Sequence, residues 1–169
     1  GSSQHQKLVA IDDRIAFSGG LDITVRRWDT AAHTPNDPKR VDPAGKPYGP
    51  FHDVQMVVDG DAAGALSELL RDRWACAAAE MVEPVKTGGD AWPDGVKPDF
   101  TDTDIGISRT EPKFDGRAEA REVERLFYDM IDVAERSIYI ENQFLTVLPI
   151  AEHLAKRLRE RPELEALLV

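Results

Sequence analysis

Short apolar runs broken by charged turns dominate the first part of the chain, and longer runs with helical spacing follow. In "KLVAIDDRIAFSGG" the β-prone runs 8–11 and 15–17 flank Asp12-Asp13-Arg14, which predicts a β-hairpin. Side chains alternate along a strand, so His5, Lys7, Val9 and Ile11 are expected on one face. Residues 29–50 are rich in Pro, Asp, Gly, Lys and Arg and predict a long irregular loop. "FHDVQMVVDG" predicts a strand. "DGDAAGALSELLRDRWACAAAEM" predicts a helix, capped by Asp59 or Asp61, with Leu66, Leu69, Leu70 and Trp74 on one face.

A second Pro/Gly/Asp-rich stretch, 83–104, predicts a linker, after which the pattern restarts. "IGISRT" is expected as a short strand. "DGRAEAREVERLFYDMIDVAER" is expected as an amphipathic helix, with Val123, Leu126, Phe127, Met130, Ile131 and Ala134 on its apolar face. "SIYIENQFL" predicts a strand. "PIAEHLAKRLRER" predicts a helix with Pro149 in its first turn, and the terminal "ELEALLV" continues a helix-like pattern. Alternating strands and helices give an α/β expectation: a mixed sheet flanked by helices.

The chain has 169 residues and a net charge of −10. So acidic a surface argues against non-specific binding of nucleic acid. Cys76 is the only cysteine, which excludes an intrachain disulfide and suggests a small buried apolar residue among alanines. The chain starts at Gly1 rather than methionine and carries candidate chemistry within five residues of that start, so it reads as part of a longer protein.

His5-x-Lys7, then Asp12, then Gly19-Gly20-x-Asp22 resembles the HKD motif of the phospholipase D superfamily, in the Gly-Gly-x-Asp form of members that act on lipids. "RRWDT" (26–30) is similar to the Arg-Trp/Tyr-Asp segment after the first motif. "PFHDVQM" is similar to the Trp-His-Asp segment, and "IYIENQFL" (138–145) to the Ile-Glu-Asn-Gln segment between the two motifs. The resemblance spans nearly the whole chain and implies incomplete parts of two similar lobes. Residues 1–82 would be the back of the first lobe, 83–104 a linker, and 105–169 the front of the second.

The residue types suit phosphodiester chemistry. An imidazole titrates near working pH, and an ammonium on the same strand face can neutralise phosphoryl oxygens. The resemblance implies that His5 forms a phosphohistidine beside Lys7, with Asp12 structural or orienting and no metal or other cofactor required. A second histidine would protonate the leaving alcohol. However, His33, His52 and His153 have no lysine two places on, so a second HKD half is expected beyond residue 169 or from a homodimer partner. Gly20, Asp22, Asp29, His52, Glu141, Asn142 and Gln143 are expected to bind phosphate or substrate, or to orient the site. Either His52 or Asp53 would brace the structure or orient His5, and Glu141 or Gln143 would orient a catalytic histidine. Arg109 and His153 read as solvated. The implied substrate is a phospholipid, the parent is expected in the cytoplasm or on a membrane surface, and nucleic acid is not an expected partner. The expected activity is hydrolysis or cardiolipin-synthase-like phosphatidyl transfer. A superfamily nuclease and a non-catalytic phosphate- or lipid-binding module are the alternatives.

Overall fold

A computed structural model describes residues 5–169. They form two compact units, one running through Thr103 and the other comprising Asp104–Val169. The α/β expectation holds, but the described strands form three small sheets rather than one mixed sheet.

In the first unit β1 (Lys7–Ile11), β2 (Ile15–Gly19) and β3 (Gln55–Asp59) form an antiparallel sheet in that order. The hairpin turn places Asp12 and Asp13 at positive φ, 55° and 56°, and is closed by the Arg14 amide donating to the Ile11 carbonyl. Two successive left-handed residues match the twist of a tight hairpin, and aspartate tolerates that region.

The register pairs Lys7 with Gly19 and Gly19 with Gln55. Residues paired across strands share a face, so the sheet has two distinct sides. Leu8, Ala10, Ala16 and Val58 pack on Ala63 and Leu66 of α1 (Gly60–Ala78). Lys7, Val9, Phe17 and Gln55 belong to the opposite side. Helix α1 follows β3 directly, but its N-cap Asp59 makes no side-chain cap bond. Trp74 and Cys76 are both exposed, so the apolar face ends a turn before Trp74, and Cys76 is not the buried residue expected.

The predicted linker is fastened to the first unit at its start. Asp13 accepts from the Val85 amide and pairs with Arg71, while Arg14 donates to the Thr87 carbonyl.

In the second unit the strand expected in "IGISRT" shrinks to β4 (Thr110–Glu111), paired with β5 (Ala120–Arg121). Helix α2 (Glu122–Val133) is shorter than expected because residues 115–121 form this turn and strand. Strand β6 (Ser137–Ile140) ends before Glu141, and α3 (Leu148–Glu160) begins with Pro149 in its first turn. The terminal segment is not helical. It forms β7 (Glu165–Leu168), parallel to β6, which gives a β–α–β unit. The core joins Ile131, Ile150 and Leu154 to Phe127, Tyr128, Ile138 and Ile140. Tyr128 therefore takes the inward place expected of Leu126 and Met130, which are exposed.

Candidate functional site

The open end of the first sheet gathers several predicted residues. Lys7 Nζ lies 3.0 Å from the His5 carbonyl oxygen and 2.9 Å from an Asp22 carboxylate oxygen. The other Asp22 oxygen is 3.5 Å from Arg27. The Lys7 hydrogen bond chiefly holds the Asp22 carboxyl below the usual carboxylate range; partial burial opposes this, and Arg27 adds to it. His5 is exposed just before β1. A cleft of about 440 Å³ opens beside these groups, lined by Lys7, Asp22 and Gln55 with apolar Phe17, Leu21 and Ile23. A fixed ammonium in a partly apolar cleft is suited to an anion carrying a hydrophobic substituent.

Gly20 donates its amide to the Val54 carbonyl at 3.0 Å, and a Cβ there would collide with the Asp53 carboxylate. The glycine thus brings the His52-Asp53 segment against the second strand. His52 packs edge-on to the His33 ring, with centroids 5.7 Å apart.

Asp12 and Asp29 lie elsewhere. Asp12 is in the hairpin turn, at the other end of β1 from Lys7. Asp29 anchors the 29–51 loop. One oxygen accepts from the Thr30 amide and pairs with Arg40 at 2.7 Å; the other meets the Phe51 amide and His33 Nδ1. Burial pushes the Asp29 carboxyl up, but the Phe51 amide, His33, Arg40 and the Thr30 amide outweigh it and hold the group far below the ordinary range.

In the second unit, Glu141, Asn142 and Gln143 follow β6 and are exposed. Glu141 accepts from the Tyr139 hydroxyl at 3.1 Å, which raises the phenol's pKa. Asn142 donates its backbone amide to the Val169 carbonyl, just past the end of β7, and its side chain accepts from the Phe144 amide in a local turn. The strand expected through Gln143 ends at Ile140. Arg109 is not a lone solvated cation, because its guanidinium meets Glu122 through two hydrogen bonds. His153 likewise bonds Asp132 at 2.7 Å and packs against Tyr128, bridging α2 and α3.

No family model matches the chain. Three curated proteins do. Phospholipase D of Phytophthora infestans is 26% identical over 113 residues, covering 51% of this chain and 6% of that protein. Phospholipase D C of Dictyostelium discoideum is 30% identical over 96 residues, covering 43% and 6%. Phospholipase D zeta 1 of Arabidopsis thaliana is 44% identical over 46 residues, covering 27% and 4%. The chain is related to the phospholipase D superfamily. It spans only about a twentieth of the length of these phospholipases D.

Two residues of the chain escaped the sequence reading. Arg40 is almost wholly buried and donates to Asp29 and to the carbonyls of Thr34, Pro35 and Tyr48. An arginine inside a Pro-rich loop was its only sequence signal. Gln55 lines the cleft, and its Oε1 is buried with no hydrogen-bond partner among the described residues. Its signal was the Lys7–Gly19–Gln55 register, which a single sequence does not reveal. Among the described residues, no group of three or more His, Cys, Asp or Glu side chains is placed to hold a metal ion, and no helix is long and apolar enough to cross a membrane.

Proposed function

We propose that the protein carrying this chain cleaves or exchanges phosphodiester bonds of phospholipids through a phosphohistidine at His5. The observation that carries this reading is the Lys7 ammonium, which lines a partly apolar cleft, is held by Asp22 and bonds the backbone carbonyl of exposed His5. The names of the three relatives support it.

A ring nitrogen of His5 attacks phosphorus, and the bond from phosphorus to the leaving alcohol's oxygen breaks. A second imidazole gives that oxygen its proton. Water or an acceptor alcohol then attacks phosphorus, loses a proton to the same imidazole and frees His5. Lys7 offsets the charge gathering on the phosphoryl oxygens. Asp22 holds Lys7 in place, Gly20 sets the neighbouring backbone, and Asp12 serves the hairpin turn. Asp29 closes the 29–51 loop and His52 follows it, outside the residues that line the cleft. Glu141, Asn142 and Gln143 are assigned to orienting the second imidazole. That imidazole comes from a second His-x-Lys half, in the same polypeptide or a homodimer partner, and the parent works at a membrane surface.

Turnover of phosphatidylcholine and phosphatidylglycerol vesicles tests this in the protein that carries the chain. His5→Asn abolishes turnover, and Lys7→Met lowers kcat/KM by about 10²- to 10³-fold. The 169-residue chain alone gives no turnover. Full activity in His5→Asn would end the phosphohistidine assignment, and faster cleavage of single-stranded DNA than of lipid would end the lipid assignment.

A further inference from the structure

We propose that residues 23–28 form a docking surface for a zwitterionic phospholipid layer, with Ile23, Val25 and Trp28 set into its headgroup–acyl boundary. This rests on the phosphodiester reading of the cleft and adds the surface through which the lipid is reached. Ile23 is 87% exposed, and Val25, Trp28 and Val41 are exposed as well. They are grouped rather than scattered, because all four line one shallow depression of about 480 Å³. Apolar side chains gathered on a surface mark a place where a partner or a lipid displaces water. The segment is pinned to the 29–51 loop, which keeps these side chains on display. Arg26 sits at positive φ, 63°, and pairs with Asp42 at 2.8 Å, and the Tyr48 hydroxyl donates to the Trp28 carbonyl at 2.8 Å.

Two observations select a lipid surface of this kind. The first is continuity: Ile23 lines both the depression and the cleft that holds Lys7. In a bilayer the phosphate lies just above the acyl chains. An ammonium that meets such a phosphate therefore has its neighbouring surface against the headgroup–acyl boundary, where apolar side chains enter and tryptophan is favoured. The second is charge. The segment's two cations each face a carboxylate, Arg26 meeting Asp42 and Arg27 lying 3.5 Å from Asp22. Guanidinium and carboxylate groups side by side complement a headgroup that is itself a phosphate–ammonium pair. The chain's net charge of −10 opposes an anionic surface.

The test is co-sedimentation of the 169-residue chain with vesicles of phosphatidylcholine and with vesicles of equal parts phosphatidylcholine and phosphatidylglycerol, alongside an NMR titration with soluble glycerophosphocholine. The chain should bind the first vesicles at low and high salt, and the second no more tightly. Ile23→Ser and Trp28→Ser should each weaken vesicle binding about tenfold, the worth of one inserted apolar side chain. Trp74→Ser, on α1 and as exposed as Trp28, should leave it unchanged. Failure to bind phosphatidylcholine vesicles, equal binding by all variants, or binding that requires phosphatidylglycerol would overturn the docking surface. So would a chain that dimerises in analytical ultracentrifugation and becomes monomeric in Ile23→Ser, because a second copy then covers the patch. In each of those cases a response of the Lys7 and Asp22 resonances to glycerophosphocholine leaves the phosphodiester reading standing. Vesicle binding that is weakened by the two variants, without that response, would keep the surface and strike the phosphodiester reading.

Discussion

Arg40 is the largest fully buried side chain among the described residues, and it shows how one charge can organise a loop. Its guanidinium satisfies three carbonyls and the Asp29 carboxylate, whose remaining capacity binds the first and last amides of the same loop. Removing the donor leaves those acceptors enclosed without a partner. Arg40→Met is therefore expected to lower stability by about 2–4 kcal/mol, read as a shift of the urea midpoint by tryptophan fluorescence. The same network sets a pH dependence. Asp29 titrates lower in the folded chain than its ordinary value of 3.8, so its stabilisation is complete above that value and disappears as pH falls toward the folded value. Acid titration of the unaltered chain should show stability falling below about pH 4. In Asp29→Asn the curve starts lower and has a shallower acid limb, and an unchanged limb would show that other carboxylates dominate.

Element by element, what could be read from sequence depended on whether local pattern or distant partners decide the structure. The 7–19 hairpin was legible because alternation, β-branched residues and two turn aspartates agree. Helix α3 was legible from Pro149 and its apolar spacing. The end segment was misread because 165–168 is a strand through its parallel pairing with β6, a contact between residues far apart in sequence. "IGISRT" failed in the opposite sense, since its apolar residues find no strand partner before Thr110. Periodicity placed α2 correctly but blurred its inward direction. Ile131→Ala is expected to cost about 2–4 kcal/mol by circular dichroism melting, whereas Met130→Ala, exposed one position earlier, should stay within about 0.5 kcal/mol. At the candidate site, His5, Lys7 and Asp22 were legible because they lie close in sequence. Gln55 was hidden because only the strand register brings it across from Lys7.

At the scale of the whole chain, the boundary between the two units falls at 103–104, yet the connecting segment is not uniformly loose. Val85 and Thr87 are tied to the hairpin turn, while the chain from 88 onward is irregular and mostly exposed. Brief subtilisin digestion should therefore cut within 88–103 before it cuts at 84–87, as mass spectrometry of the first fragments would show. First cleavage at 84–87 would mean that the tie to Asp13 and Arg14 is weak. The loop anchored by Asp29 has the reverse property. Both of its ends are clasped at a single carboxylate, and the Val41–Pro47 bridge closes its outer part, so the strands do not depend on how much polypeptide lies between 42 and 46. Extra residues spliced into that tip would give up the turn bonds of Asp42 to Ala44, Gly45 and Lys46, but little more, because lengthening an already closed loop is entropically cheap. That makes the tip a suitable place to graft a fluorescent or affinity tag without disturbing the first sheet.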